Sequence, residues 1–397
     1  MITRRPLRTL LAAGLVVAAL TAATIPAHAA TAPKPGSVCK IAARTTTVNG
    51  LTFTCTKKGK TLVWSKGALA KLATASTIRI GFFANVTHAS ALVGIDKGIF
   101  EKYFGKDGTK IEYTVFNAGP AEIEAIKGGA IDIGYIGPNP AISGFVSTDG
   151  ELIRVISGAT SGGAQLVVKS DINTIADLKG KTIATPQLGN TQDVALRAFL
   201  KKNGFNVSLA GGGDVNIVPT DNATALTLFQ QGKLDGAWVP EPWASRLVID
   251  AKAKVLVDEA TLWPNGDFIT TNIIASSDFL KKYPGSARSL LLANIEATQW
   301  AKANSAAAQD SVQAQLLKWT TKKLSDDVIK RAWSSLKLSW DPLAATLKTS
   351  ANNAVKAGVL TNLGADGLSG IYDLRLLNQV LKFQGLPTVS SNKLGLE

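Results

Sequence analysis

Lys181-Thr-Ile-Ala-Thr-Pro-Gln-Leu-Gly-Asn-Thr-Gln-Asp-Val-Ala-Leu-Arg-Ala-Phe199 reads as a buried strand, a glycine-bearing polar loop and a helix whose first turn faces that loop. Thr182 to Thr185 is short and β-prone, and Pro186 and Gly189 break it. Leu196, Phe199 and Leu200 then share one helical face, which turns the N–H groups near Asn190 to Asp193 outward. Unpaired donors and the positive end of a helix dipole together favour a small oxyanion. Further on, Asp235-Gly-Ala-Trp-Val-Pro-Glu-Pro-Trp243 is a strand that stops at a proline and leaves an acid and an indole at its tip. The two stretches read as the floor and wall of a ligand cleft.

Working outward, 397 residues with 46% hydrophobic content exceed what one domain usually holds, so two lobes are expected. Arg4, Arg5 and Arg8 precede an apolar run from Leu10 to Leu20, and Ala27-His28-Ala29 fits a small-x-small cleavage site. Residues 1–29 are thus expected to be a signal peptide, and the mature protein to be secreted and extracytoplasmic. No later stretch approaches the roughly 20 apolar residues of a membrane span, and no cysteine at the cleavage site can take a lipid.

The net charge of +14 is unevenly placed: three arginines lie in the signal, and eight basic residues without one acid lie in residues 31 to 76. The body from residue 77 carries only +3, so nucleic acid is not expected as a partner. Cys39 and Cys55, the only cysteines, lie in the basic segment, and export implies one disulfide between them. Around them Thr45 to Val48, Leu51 to Thr56 and Thr61 to Trp64 read as three short strands, the first two joined by Asn49-Gly50. Residues 30–76 are therefore expected to form a basic, disulfide-stapled β-module and linker. It would serve either as a tether to an anionic cell-envelope polymer or as a solvated spacer.

From Thr77 strands and helices alternate, which argues for parallel sheets covered by helices. Leu152 to Ser157 reads as a strand, Gly158-Ala-Thr-Ser-Gly-Gly163 as a break, and Gln165 to Lys169 as a fresh strand entering a second lobe. Leu262 to Phe268 and the strand Ile269 to Ala275 read as the return crossing, and the remainder as mostly amphipathic helix packing back on the first lobe. The expected division is 77–164 with 270–397 for one lobe and 165–269 for the other. Gly162, Gly163 and Thr270 are the hinge candidates. In open sheets ligands bind beyond the carboxyl ends of strands. The loops there are Asn85 to His88, Asn117 to Pro120, Gly137 to Pro140, Gln187 to Gln192 and Glu241 to Trp243. Most carry Asn or Gln, neutral donors that hold an anion without burying an excess formal charge.

Val86-Thr-His-Ala89, Phe116-Asn-Ala-Gly-Pro120, Tyr135-Ile-Gly-Pro-Asn-Pro-Ala141, Asp177-Leu-Lys-Gly-Lys-Thr182, Gly189-Asn-Thr-Gln-Asp193 and Trp238-Val-Pro-Glu-Pro-Trp243 carry a family resemblance. Residues 77 to 397 resemble the extracytoplasmic substrate-binding proteins of ABC importers in the nitrate, sulfonate and taurine branch, closest to the aliphatic-sulfonate type. The resemblance implies an α/β fold of two Rossmann-like lobes on a two-strand hinge, closing over one ligand and docking as a monomer on a permease and ATPase complex. It implies no enzymatic activity and no cofactor. The ligand expected is a small anionic organosulfur compound: an alkanesulfonate, taurine or a sulfate ester, with nitrate, bicarbonate or a heterocycle as alternatives.

The candidate contacts are Asn85, Thr87, His88, Asn117, Gly119, Gly137, Asn139, Gln187, Asn190, Thr191 and Gln192 for the headgroup, with Glu241 as acceptor and Trp243 and Phe268 against an organic tail. Several have plainer readings. Thr191 and Asp193 can cap a helix, the asparagines suit turns, Glu241 can support the first turn of the helix after it, and Trp238 reads as core. His88, the only histidine outside the signal, can serve structure or ligand. With one histidine and no free cysteine, metal clusters and Cys–His chemistry have no residues to use. Two other classes remain to be tested. A thiamine-pyrimidine synthase-like enzyme would want a reactive histidine and a cysteine-rich stretch, and an envelope-attached sensor would use the basic module.

Overall fold

The computed structural model describes residues 32–364 and 367–397; the expected signal segment 1–29 lies outside the described residues. The described residues divide between Ala68 and Leu69 into two compact units, the larger ending at Glu397. Residues 69–76, expected in the linker, belong to the larger one. The Ala75 N–H donates to Ser286 Oγ at 2.9 Å and the Gly285 N–H to the Ala73 carbonyl at 2.7 Å.

In the small unit Thr45–Val48, Leu51–Lys58 and Thr61–Trp64 form an antiparallel meander. Asn49 and Gly50 both have positive φ, the geometry of a tight hairpin turn. Cys39 and Cys55 are disulfide-bonded across a sequence separation of 16. Phe53 and the two cysteines supply the buried side chains, too few to hold a sheet by burial alone. A loop of that size contributes about 3 kcal/mol in the chain-entropy picture. Cys55→Ser is accordingly expected to abolish hydrogen-exchange protection over 45–64 while leaving the larger unit's melting transition in place. Full protection in that variant would show that the sheet does not need its staple.

The larger unit holds two mixed sheets, one per lobe. In the first, Thr77–Phe83 lies between the edge strand Lys110–Phe116 and Ile133–Ile136, parallel to both, and the sheet continues through Ile269–Ser276 and Ile153–Gly162 to Tyr372–Asp373 and Gly395–Leu396. The second runs Asn216–Pro219, Thr182–Thr185, Gly236–Pro240, Ala164–Val168 and Lys254–Asp258. Neither is purely parallel. Ile269–Ser276 is antiparallel to both its neighbours, and Ala164–Val168 to both of its own. These strands enter directly from the other lobe, without the covering helix that a parallel neighbour requires.

The glycine-rich stretch expected as a break is instead strand as far as Gly162, and only Gly163 separates it from Ala164–Val168. Gly162 and Gly163 have φ near +79° and +76°, a conformation that side-chain-bearing residues resist, and there the chain turns from one sheet into the other. The return path lies alongside. The Gly162 N–H donates to the Phe268 carbonyl at 3.2 Å, and Thr270 Oγ1 donates to the Gly162 carbonyl. All three hinge candidates therefore sit where the two crossings are hydrogen-bonded together. Trp238 is fully buried in the second lobe, edge-on to Phe199 at 5.4 Å.

Candidate functional site

Four strand ends deliver helix beginnings to one place between the lobes. From the first lobe come Asn85, Thr87 and His88 at the turn leading into Ala89–Asp96, and Gly137, which precedes Pro138–Val146. The second lobe supplies Asn190, Thr191 and Gln192, opening Thr191–Lys202, and Asn222, the first residue of Asn222–Gln230. With Phe83, Asn117, Pro240 and Thr270 they line a slot of about 20 Å³, roughly the room of one water. Gly137 meets Thr191 so closely that a Cβ would collide with its hydroxyl.

No formal charge lines the slot. His88 Nδ1 accepts from the Phe83 N–H at 3.2 Å, which leaves Nε2 to carry the ring's proton. Burial holds its pKa down at about 3, so the imidazole is neutral throughout the physiological range. The helices at Pro138 and Thr191 have no side-chain cap, whereas Asp221 caps Asn222–Gln230 through the Thr224 N–H. Two buried oxygens on the slot residues, Thr191 Oγ1 and Asn222 Oδ1, have no partner. Uncapped amides, dipole ends and orphaned polar atoms are what a small anionic or polar ligand would satisfy.

Eight of the sequence candidates thus converge: Asn85, Thr87, His88, Asn117, Gly137, Asn190, Thr191 and Gln192. Trp243 stands beside them on an adjoining vestibule of about 270 Å³ that shares Asn85, Asn117 and Asn222 with the slot. Its Nε1–H donates across the lobes to Asn85 Oδ1 at 2.9 Å, and the Arg246 guanidinium lies 4.9 Å from its ring centre.

Five candidates lie elsewhere. Asn139 turns its amide to the Ser350 carbonyl at 3.0 Å. Gly119 packs on Pro140 and Ile136. Gln187 is half-buried outside the slot and accepts the Asn190 N–H through its carbonyl at 3.0 Å. Glu241 is buried, accepting from the Ser245 N–H at 3.0 Å and from Arg331 Nη1 at 3.1 Å, so it supports the helix Trp243–Asp250 and an ion pair between lobes. Burial raises its pKa. Phe268 is buried against Trp263, ring centres 5.8 Å apart, on a separate cavity of about 550 Å³ that shares Thr191 with the slot but no residue with the vestibule. One tail cannot run along both Trp243 and Phe268.

Asp193 is also structural. Its carboxylate accepts from Thr185 Oγ1, the Gly189 N–H and Arg197 Nε, all within the fold. Asn222 is not among the sequence candidates, because the strand that leads to it, Asn216–Pro219, has only four residues and ends in proline. Asp221-Asn-Ala-Thr224 is nonetheless a helix-start pattern that marks the spot. Among the described residues no group of three or more His, Cys, Asp or Glu is placed to hold a metal, and no helix is long and apolar enough to cross a membrane.

The NMT1-like family matches residues 72–317. The chain belongs to the NMT1-like family. The chain is 30% identical to the taurine-binding periplasmic protein of Escherichia coli (strain K12) over 49% of its own length and 59% of that protein. It is 25% identical to a putative binding protein of Brucella abortus (strain 2308) over 61% of the chain and 72% of the relative. In fold it resembles the alkanesulfonate-binding protein SsuA from Xanthomonas axonopodis pv. citri, bound to MOPS, with a TM-score of 0.61 at 23% identity, covering 72% of this chain and 95% of that one. The nitrate-binding protein NrtA from Synechocystis PCC 6803 gives a TM-score of 0.62 at 17% identity, covering 81% and 88%. All of these are binding proteins rather than enzymes. The synthase-like alternative loses its footing among them, and both cysteines of this NMT1-like chain are occupied by the disulfide.

Proposed function

We propose that this NMT1-like protein is the extracytoplasmic solute receptor of an ABC importer, capturing a small organosulfonate, taurine or a sulfate ester. The observation that carries the reading is the neutral slot in which the Thr191 hydroxyl, able to donate, is buried without a partner at an uncapped helix start, while Asn222 Oδ1, an unpartnered acceptor, suits a ligand N–H or O–H. The headgroup would sit there, against dipoles, and the organic tail would run into the vestibule along Trp243. The relatives named for taurine and alkanesulfonate support this chemistry.

The slot is too small for a sulfonate as it stands, so loading requires the lobes to part. Closure over a headgroup then ends with the slot wider than it is here, drawing on cross-lobe contacts of the kind made by Trp243 with Asn85 and Arg331 with Glu241, and the ligand shifts the equilibrium toward that loaded, shut form. The small volume also favours a second reading, nitrate or bicarbonate, and the same experiment separates them.

Calorimetry with taurine, alkanesulfonates, sulfate esters, nitrate and bicarbonate is expected to give micromolar or tighter binding for one of the sulfur anions. Thr191→Val should weaken that binding about tenfold, the cost of losing one hydrogen bond to a charged group. Because His88 is neutral, affinity should hold constant from pH 6 to 8. Silence with every anion would end the proposal, and tightest binding of nitrate would select the second reading.

A further inference from the structure

The cavity that holds Phe268 is larger than the slot and vestibule together, and the receptor function above makes no use of it. Its volume of about 550 Å³ lies in the range of sites for drug-sized molecules. Both lobes wall it: Val194 and Phe199 come from the helix Thr191–Lys202, and Ser350 and Asn353 from the helix Ala344–Ala357. Trp263 and Phe268 supply a stacked aromatic side, their planes 12° apart, with Phe268 behind and the half-buried Trp263 indole partly open.

The charged groups on this cavity are uneven. Lys201, Lys202 and Lys356 are exposed on its lining, and among the described residues none of them is in an ion pair; the Lys201 ammonium donates to the Lys356 carbonyl at 2.8 Å. The single acid, Glu259, is buried and already accepts the Trp238 Nε1–H at 2.8 Å. An apolar, aromatic-sided hollow with three unneutralised cations on it suits a flat ring bearing negative charge.

We infer that this cavity is a second binding site, for an aromatic monoanion such as an arene sulfonate or carboxylate, with its ring against the Trp263 indole and its charge toward Lys201, Lys202 and Lys356. The inference does not depend on what occupies the slot. It is tested by calorimetry of the whole protein with naphthalene-2-sulfonate. One-site binding is expected, weakened at least tenfold by Trp263→Ala and at least threefold by Lys202→Glu, and unchanged within twofold by Asn117→Ala, which alters the slot and the vestibule without removing a hydrogen bond between the lobes. Lys202 is exposed, so its reversal leaves the core intact and keeps the test valid if Trp263→Ala disturbs Phe268. Absence of binding at millimolar probe, or loss in Asn117→Ala with both cavity variants unaffected, would overturn the second site.

Discussion

Asp193→Ala is expected to destabilise the larger unit by about 3–5 kcal/mol, the usual consequence of stripping one partner from a buried ion pair. The Asp193 carboxylate is fully buried and Arg197 is 1% exposed, with Nε 3.0 Å from both carboxylate oxygens. Without the acid, a guanidinium remains in the second lobe's interior with the Ser208 carbonyl, 2.8 Å from Nη1, as its remaining partner. The same substitution frees the Gly189 N–H and Thr185 Oγ1, the two bonds that pin the loop before the helix at Thr191. Ligand affinity should therefore fall together with stability, although Asp193 itself lines no part of the slot. Asp193→Ala combined with Arg197→Met should recover a large share of the loss, since no unpaired charge is then buried. Urea denaturation decides it: a cost below about 1 kcal/mol for the single variant would mean the guanidinium finds water after all.

The second large effect concerns Glu122, a carboxyl in the core of the first lobe. It is fully buried, neither oxygen has a hydrogen-bond partner, and it lies against Gly81 and Gly134, where side chains would collide with it. Burial pushes its pKa well above the ordinary carboxylate value. The folded state thus keeps a proton that the unfolded chain releases above about pH 4.3. Wherever the native state binds more protons, stability falls as pH rises. The expected slope is about 1.4 kcal/mol per pH unit above the unfolded pKa until the buried group itself ionises. Glu122→Gln, which cannot ionise, should flatten this slope and be the more stable protein at pH 8. Parallel stability curves from pH 5 to 8 for the two proteins would contradict the assignment.

The site shows where sequence reasoning succeeds and where it stops. Asn85, Asn117 and Asn190 to Gln192 could be picked out because each follows a strand of its sheet's parallel set, whose carboxyl ends face the same way. Which way a side chain turns from such a loop is another matter. Asn139 occupies the same kind of position but donates to Ser350, on a helix 211 residues away. Glu241 suggested a ligand acceptor only while its partner was unknown, and Arg331 lies 90 residues further along the chain. Asn222 escaped notice because Asn216–Pro219 is an edge strand of four residues, one of them proline, with little alternation to betray it.

Local chemistry sufficed for the elements themselves: the period of the apolar residues, the Asn-Gly turn and the presence of only two cysteines are properties of neighbours along the chain. The alternation of strand and helix likewise set the two-lobed class. The mixed strand directions, the separation of Trp243 from Phe268 into different hollows, and the pairing of Glu241 with Arg331 were decided by the tertiary structure. Each depends on how two distant segments meet once the chain has crossed between lobes, and that meeting is governed by packing and desolvation, which no short window of residues contains.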